Sequence, residues 1–298
     1  MKTFIRASVL LCCASLLPMS AAAYAGAPPL VVAESARTVT GGRSVEVVVG
    51  QAELKSDINP SNVAVATGGG LLGALIATSI DASHTKKAEA AITPVRDALT
   101  AFDGDGLALT TTKNALANVD WLQTGTVAFS KDSTPLGKST FLDSSDAAQA
   151  AFFDYSYDLS PDFSSMRVVV QLQFANKANK SSKPEARLNP KNLAYSTAIT
   201  SVVVLPGATT DLNSNAQLWA ADNGKLAQAA LTLAFANVEK LLPRTLALTD
   251  SDVKAMNDKD KPGQLAGGFR GRVQENGTGH ILLWSNGFIE VDSLPQDQ

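Results

Sequence analysis

Asp154 and Asp158 lie four residues apart in Phe152–Asp162, a stretch that alternates apolar and polar residues, so both carboxylates fall on one face of a strand. Carboxylates on a shared face are what general acid/base hydrolysis uses, and Asp143, Asp146 and Asp162 cluster nearby in sequence. The polar side of an ordinary hairpin has the same pattern and needs no catalysis. Only His84 and His280 offer imidazole. Neither has a partner at metal-ligand spacing, so no metal site is expected. Arg270 and Arg272 share a face of a further strand, where they can meet an anion or simply face water. Asp103-Gly104-Asp105-Gly106 begins like a calcium loop, but its sixth position is Ala108 and its twelfth Asn114. It reads instead as a turn that ends a helix.

The segment expected to matter most is Val63–Ile80, which carries no charge. Small residues recur every four positions, as Ala66, Gly70 and Ala74 on one line and Gly69, Gly73 and Ala77 on another, a spacing that lets two helix backbones approach closely. Glycine costs about 1 kcal/mol relative to alanine inside a helix, so the segment needs a close partner to stay helical. A buried hairpin helix, self-association and membrane contact all satisfy that need, and the run reaches the lower length limit for a bilayer span. Gly68, Gly70 and Gly73 also fit GxGxxG, with Glu89 downstream. No second strand of a βαβ unit follows, so no dinucleotide or other cofactor is expected.

Around these residues the pattern predicts an α+β chain. Arg43–Leu54 is read as a first strand, and helical spacing runs from Val63 to Phe102, with Pro94 kinking it or starting a new helix. Leu107–Trp121 reads as another helix, giving a helical subregion at 60–120. Period two then takes over: Phe153, Tyr155, Tyr157 and Leu159 face one way, and Met166, Val168, Val170, Leu172 and Phe174 return after Ser160-Pro161-Asp162 as an antiparallel hairpin. Lys177–Asn192 is an expected loop, and Tyr195–Leu205 an expected central strand. Asp211–Leu242 is helical, closed by Pro243, and a short helix starts at Thr249 or Asp250. Phe269–Gln274, His280–Ser285 and Phe288–Asp292 form a three-stranded meander with turns at Asn276-Gly277 and Asn286-Gly287.

Lys2 and Arg6 precede an apolar run to Pro18 and then Ala23-Tyr24-Ala25, which predicts a secretory leader at 1–25 and a mature α+β region at 26–298, read as one domain. Cys12 and Cys13, the only cysteines, fall inside the leader, so the mature chain would have neither disulfide nor thiolate ligand. With 45% hydrophobic and 18% charged residues the composition is that of a folded protein, and a formal net charge of −3 gives no electrostatic reason to bind nucleic acid.

Gln51-Ala52-Glu53-Leu54, Ile58-Asn59-Pro60-Ser61, Gly68–Ile76 and Lys87-Ala88-Glu89 together resemble a group of uncharacterised exported bacterial proteins with a Gly-rich apolar helix. That resemblance implies residence in the periplasm or cell envelope and transfers no catalytic residue. The leading expectation is an envelope-associated, non-catalytic protein whose Gly-rich helix packs against itself, an envelope partner or a membrane. The alternatives are an envelope enzyme using the 152–162 carboxylates and a membrane-inserting protein acting through 63–80.

Overall fold

A computed structural model describes residues 29–56, 82–122, 127–178 and 184–294. The expected leader and the Gly-rich segment, with Ala66, Gly69, Gly70, Gly73, Ala74 and Ala77, lie outside the described residues. The fold is α+β, built on a 10-stranded mixed sheet. Its elements are α1 (Glu34–Arg37), β1 (Arg43–Val48), β2 (Lys55–Ser56), α2 (Ala82–Ala98), α3 (Gly104–Leu116), β3 (Val127–Ser130), α4 (Pro135–Ser144), β4 (Gln149–Leu159), β5 (Ser165–Asn176), α5 (Pro184–Arg187), β6 (Tyr195–Val204), α6 (Leu212–Ala247), α7 (Asp250–Met256), β7 (Gly263–Ala266), β8 (Phe269–Gly277), β9 (His280–Trp284) and β10 (Phe288–Ser293).

Across the sheet the order is β3-β1-β4-β5-β6-β10-β9-β8-β7, with β2 paired to β4. The β4–β5 hairpin pairs from Gln149↔Asn176 to Leu159↔Met166, as its alternation requires. Parallel pairs, which no local turn announces, join β1 to β3 and β4, and β6 to β10. Each connects strands separated by helices, because reversing the chain twice needs a long crossover. The odd-numbered side chains of β4 point toward α6, where Tyr155 stacks on Phe235 with ring centres 5.8 Å apart. One buried cluster runs from Val45 through Phe153, Tyr195 and Leu231 to Trp284. The opposite face carries Phe152 and Ala150 under Leu142 of α4, and a separate cluster of Val202, Phe269, Leu283, Ile289 and Val291.

Several local expectations change. Pro94 neither breaks α2 nor starts a helix. It and Ala90, whose carbonyl loses its helical donor, are both exposed, so water can take that bond. Pro243 likewise lies inside α6, which ends at Ala247. The actual break in α6 is at Ala221–Gly224, where Asp222, Asn223 and Gly224 have φ of 51°, 56° and 73°. Asp103 starts a helix here, as its side chain caps α3 by accepting from the Gly106 amide at 2.8 Å. The loop expected at Lys177–Asn192 contains α5 and a 3-10 turn at Pro190–Asn192. The meander gains a fourth strand, β7, and its β8–β9 turn is at Thr278-Gly279, because Gly277 already pairs with His280.

Candidate functional site

The strands at the C-terminal end curl back over the sheet. Gly267, at φ +55°, seats the β7–β8 turn directly on β6 and β10: a side-chain carbon there would lie 2.9 Å from Val202 Cγ1 and 3.2 Å from both methyls of Val291. That contact requires glycine for both its conformation and its size. The curl carries Phe269 over Arg167 of β5, with the guanidinium carbon 5.8 Å from the ring centre. Between this turn and the β4–β5 turn opens a groove of about 800 Å³. Leu265, Phe269, Ile289 and Pro161 give it apolar walls, and Ser160, Ser164 and Arg270 add polar groups. Leu265 is 64% exposed, which leaves a large apolar side chain open to a ligand.

One wall of the groove is fixed before any ligand arrives. Phe163 adopts φ +57°, an uncommon conformation for an aromatic residue, and is fully buried. Its carbonyl accepts from Trp219 Nε1 at 2.8 Å, while Asn215 Nδ2 donates to the carbonyl of Asp162 at 2.8 Å. Within the turn, the Asp162 carboxylate accepts from the Ser160 and Ser164 hydroxyls and the Ser164 amide. Burial opposes charge on Asp162, but these bonds outweigh it and hold its carboxyl below the ordinary range.

The candidate carboxylates of the hairpin separate. Asp154 pairs with Lys138 of α4, and Asp158 pairs across the strands with Arg167, which it faces in register. Four residues of strand set them roughly 13 Å apart, beyond the separation at which two carboxyl groups flank one scissile bond. Arg270 and Arg272 also part: Arg270 lines the groove, whereas Arg272 donates to the carbonyl of Lys261. Asp105 of the Asp-Gly repeat binds Lys131.

Two polar clusters escaped the sequence reading. Beneath α4, Glu46 of β1 is 6% exposed, and burial pushes its carboxyl up to about 7, with nearby Lys138 opposing the shift. A carboxyl titrating near neutrality suits general acid/base work, but Glu46 is itself buried, and so is the nearby Lys138. The second cluster joins His280, Glu290 and Asp292 on the α6 side of the C-terminal strands. Alternation within the meander was its available signal, since Phe288 opposite Trp284 places Asp292 opposite His280.

No family, curated protein or solved structure matches the chain. Among the described residues no helix is long and apolar enough to cross a membrane.

Proposed function

We propose that the chain is an exported, envelope-associated bacterial protein that binds its ligand without converting it, and that the ligand is a mainly apolar molecule with one polar end. The groove between the β4–β5 and β7–β8 turns carries this reading, because it combines an exposed Leu265 and an aromatic wall with a few fixed polar groups. The basic and apolar leader ending in Ala23-Tyr24-Ala25 supports export. The four-residue spacing of Ala66, Gly70 and Ala74 and of Gly69, Gly73 and Ala77 supports close packing of 63–80 against a second copy, an envelope partner or a membrane. Catalysis through Asp154 and Asp158 draws no support from their positions, as each carboxylate faces its own cation.

The test is titration with anilinonaphthalene sulfonate, an apolar aromatic probe with an anionic end, followed by fluorescence. The protein should bind it saturably, and Leu265→Glu should weaken binding at least tenfold with the melting temperature unchanged. Absence of saturable binding, or equal binding by the variant, would overturn the groove as the ligand site. Fractionation of producing cells should place a chain beginning near Gly26 outside the cytoplasm; a cytoplasmic chain retaining Met1 would overturn export.

A further inference from the structure

The β9–β10 pair sets His280 opposite Asp292 and Leu282 opposite Glu290, so His280, Glu290 and Asp292 project from the same side of the sheet. His280 Nδ1 lies 3.3 Å from Glu290 Oε1, and each of the three residues has a ligand atom within 4.8 Å of the other two. Donors around one zinc ion at about 2.0–2.2 Å stand somewhat closer together than that, a difference side-chain rotation can close.

Two observations separate this cluster from a chance gathering of charge. The first is Asn237 of α6, which is 0% exposed. Its Nδ2 reaches Asp292 Oδ2 at 3.4 Å and Ser201 Oγ at 3.3 Å, both long contacts, and its Oδ1 has no donor among the described residues. A buried amide oxygen without a partner is costly. Turning the amide over directs this oxygen at the Asp292 carboxylate, an approach of two oxygens that a cation between them makes favourable.

The second observation is behind the imidazole. His280 Nε2 faces Glu275 Oε2 at 3.8 Å, and Glu275 is held by Arg244, whose guanidinium lies over the Phe288 ring at 4.8 Å. A metal-bound histidine typically gives its second nitrogen to such a carboxylate, which fixes the ring and raises its basicity. The β8–β9 irregularity between Val273 and Glu275 sets Glu275 opposite Leu282, next to His280. His280 is partly exposed, so an ion has a route from solvent.

We propose that His280, Glu290 and Asp292, with the Asn237 amide oxygen, form a binding site for a divalent transition-metal ion of the zinc type. One imidazole nitrogen with carboxylate and amide oxygens suits zinc better than calcium or magnesium, which take oxygen ligands. Arg244 and Lys240 lie close enough to leave the three carboxylates Glu275, Glu290 and Asp292 only partly balanced. The ion ties α6 to β9 and β10.

The test uses the full chain with Cys12→Ser and Cys13→Ser, so that no thiol competes, stripped of metal with a chelator and titrated with zinc by calorimetry. One ion per chain should bind, with at least a tenfold loss of affinity in His280→Ala and in Asp292→Asn. Cobalt(II) should give visible absorption bands that change in His280→Ala, which reads ligation directly and needs no comparison of stability. His280 is only partly buried, so His280→Ala should fold if Asp292→Asn does not. No uptake of zinc, or uptake and cobalt bands unaltered by His280→Ala, would overturn the proposal.

Discussion

Trp219 Nε1 donates to the carbonyl of Phe163 at 2.8 Å, so a residue of α6 holds the left-handed turn that joins β4 to β5. Both side chains are fully buried. The unusual φ of Phe163 survives because this bond and the packing around it determine the turn more strongly than its own backbone preference.

Trp219→Phe keeps most of the apolar volume and removes the donor. It should cost about 1–3 kcal/mol, since the Phe163 carbonyl loses its side-chain donor inside the core. Because the turn forms one wall of the groove, probe binding should weaken as well. Chemical denaturation and the dye titration read the two effects; a variant indistinguishable from the parent in both would show that the bond fixes neither.

Gly224 sits in the break of α6 at φ +73°, where an added side-chain carbon would lie 2.9 Å from Ala98 Cβ and 3.3 Å from its carbonyl oxygen. At Gly207, which has the same φ of +73°, an added carbon would meet nothing within 4 Å among the described residues beyond its chain neighbours. Gly207→Ala should therefore cost only the left-handed conformation, about 1–2 kcal/mol. Gly224→Ala should cost that plus about 1–3 kcal/mol for overpacking α2 against α6. Equal melting temperatures in the two variants would mean that α2 yields freely at Ala98.

Glu46 makes stability depend on pH. Its carboxyl is raised from 4.5 to about 7 by burial, so the folded protein favours the neutral form. This contribution to stability is complete below pH 4.5 and is lost as pH rises through about 7. Relative to Glu46→Gln, which cannot ionise, the parent should lose on the order of 2–3 kcal/mol between about pH 4.5 and pH 8. Denaturation midpoints of both proteins across that range read the difference directly. Parallel curves would show that Lys138 compensates the charge in full.

The parts of this fold that were legible depend on neighbours in sequence. Period-two alternation located the β4–β5 hairpin, and the short helix expected from Thr249 or Asp250 is α7, which opens on a reciprocal capping box between Thr249 and Asp252. The parallel pairing of β6 with β10 has no local signature, because the pairing partner of Val202, Val291, is brought back only after two helices and three strands. The groove was invisible for the same reason. It arises where Gly267 touches Val202 and Val291, and nothing near Gly267 in sequence specifies that contact. The carboxylates of the hairpin drew attention through spacing alone, whereas Lys138 and Arg167, which neutralise them, come from a separate helix and the facing strand.

The Gly-rich stretch outside the described residues yields the remaining prediction. Small residues at Ala66, Gly70 and Ala74 and at Gly69, Gly73 and Ala77 leave room for a backbone-to-backbone contact, and leucine at Gly70 or Gly73 would fill it. Leucine favours helix over glycine by roughly 0.8 kcal/mol, so Gly70→Leu and Gly73→Leu should strengthen an isolated helix while spoiling a close interface by about 1–3 kcal/mol. Loss of thermal stability in a monomer would place the contact within one chain. Loss of oligomers or of membrane-fraction protein, with the melting temperature retained, would place it between chains or at the bilayer. Variants that match the parent in melting temperature, oligomeric state and membrane partitioning would refute the contact, because a helix improved in propensity and unchanged in every association has no partner close enough to exclude a leucine.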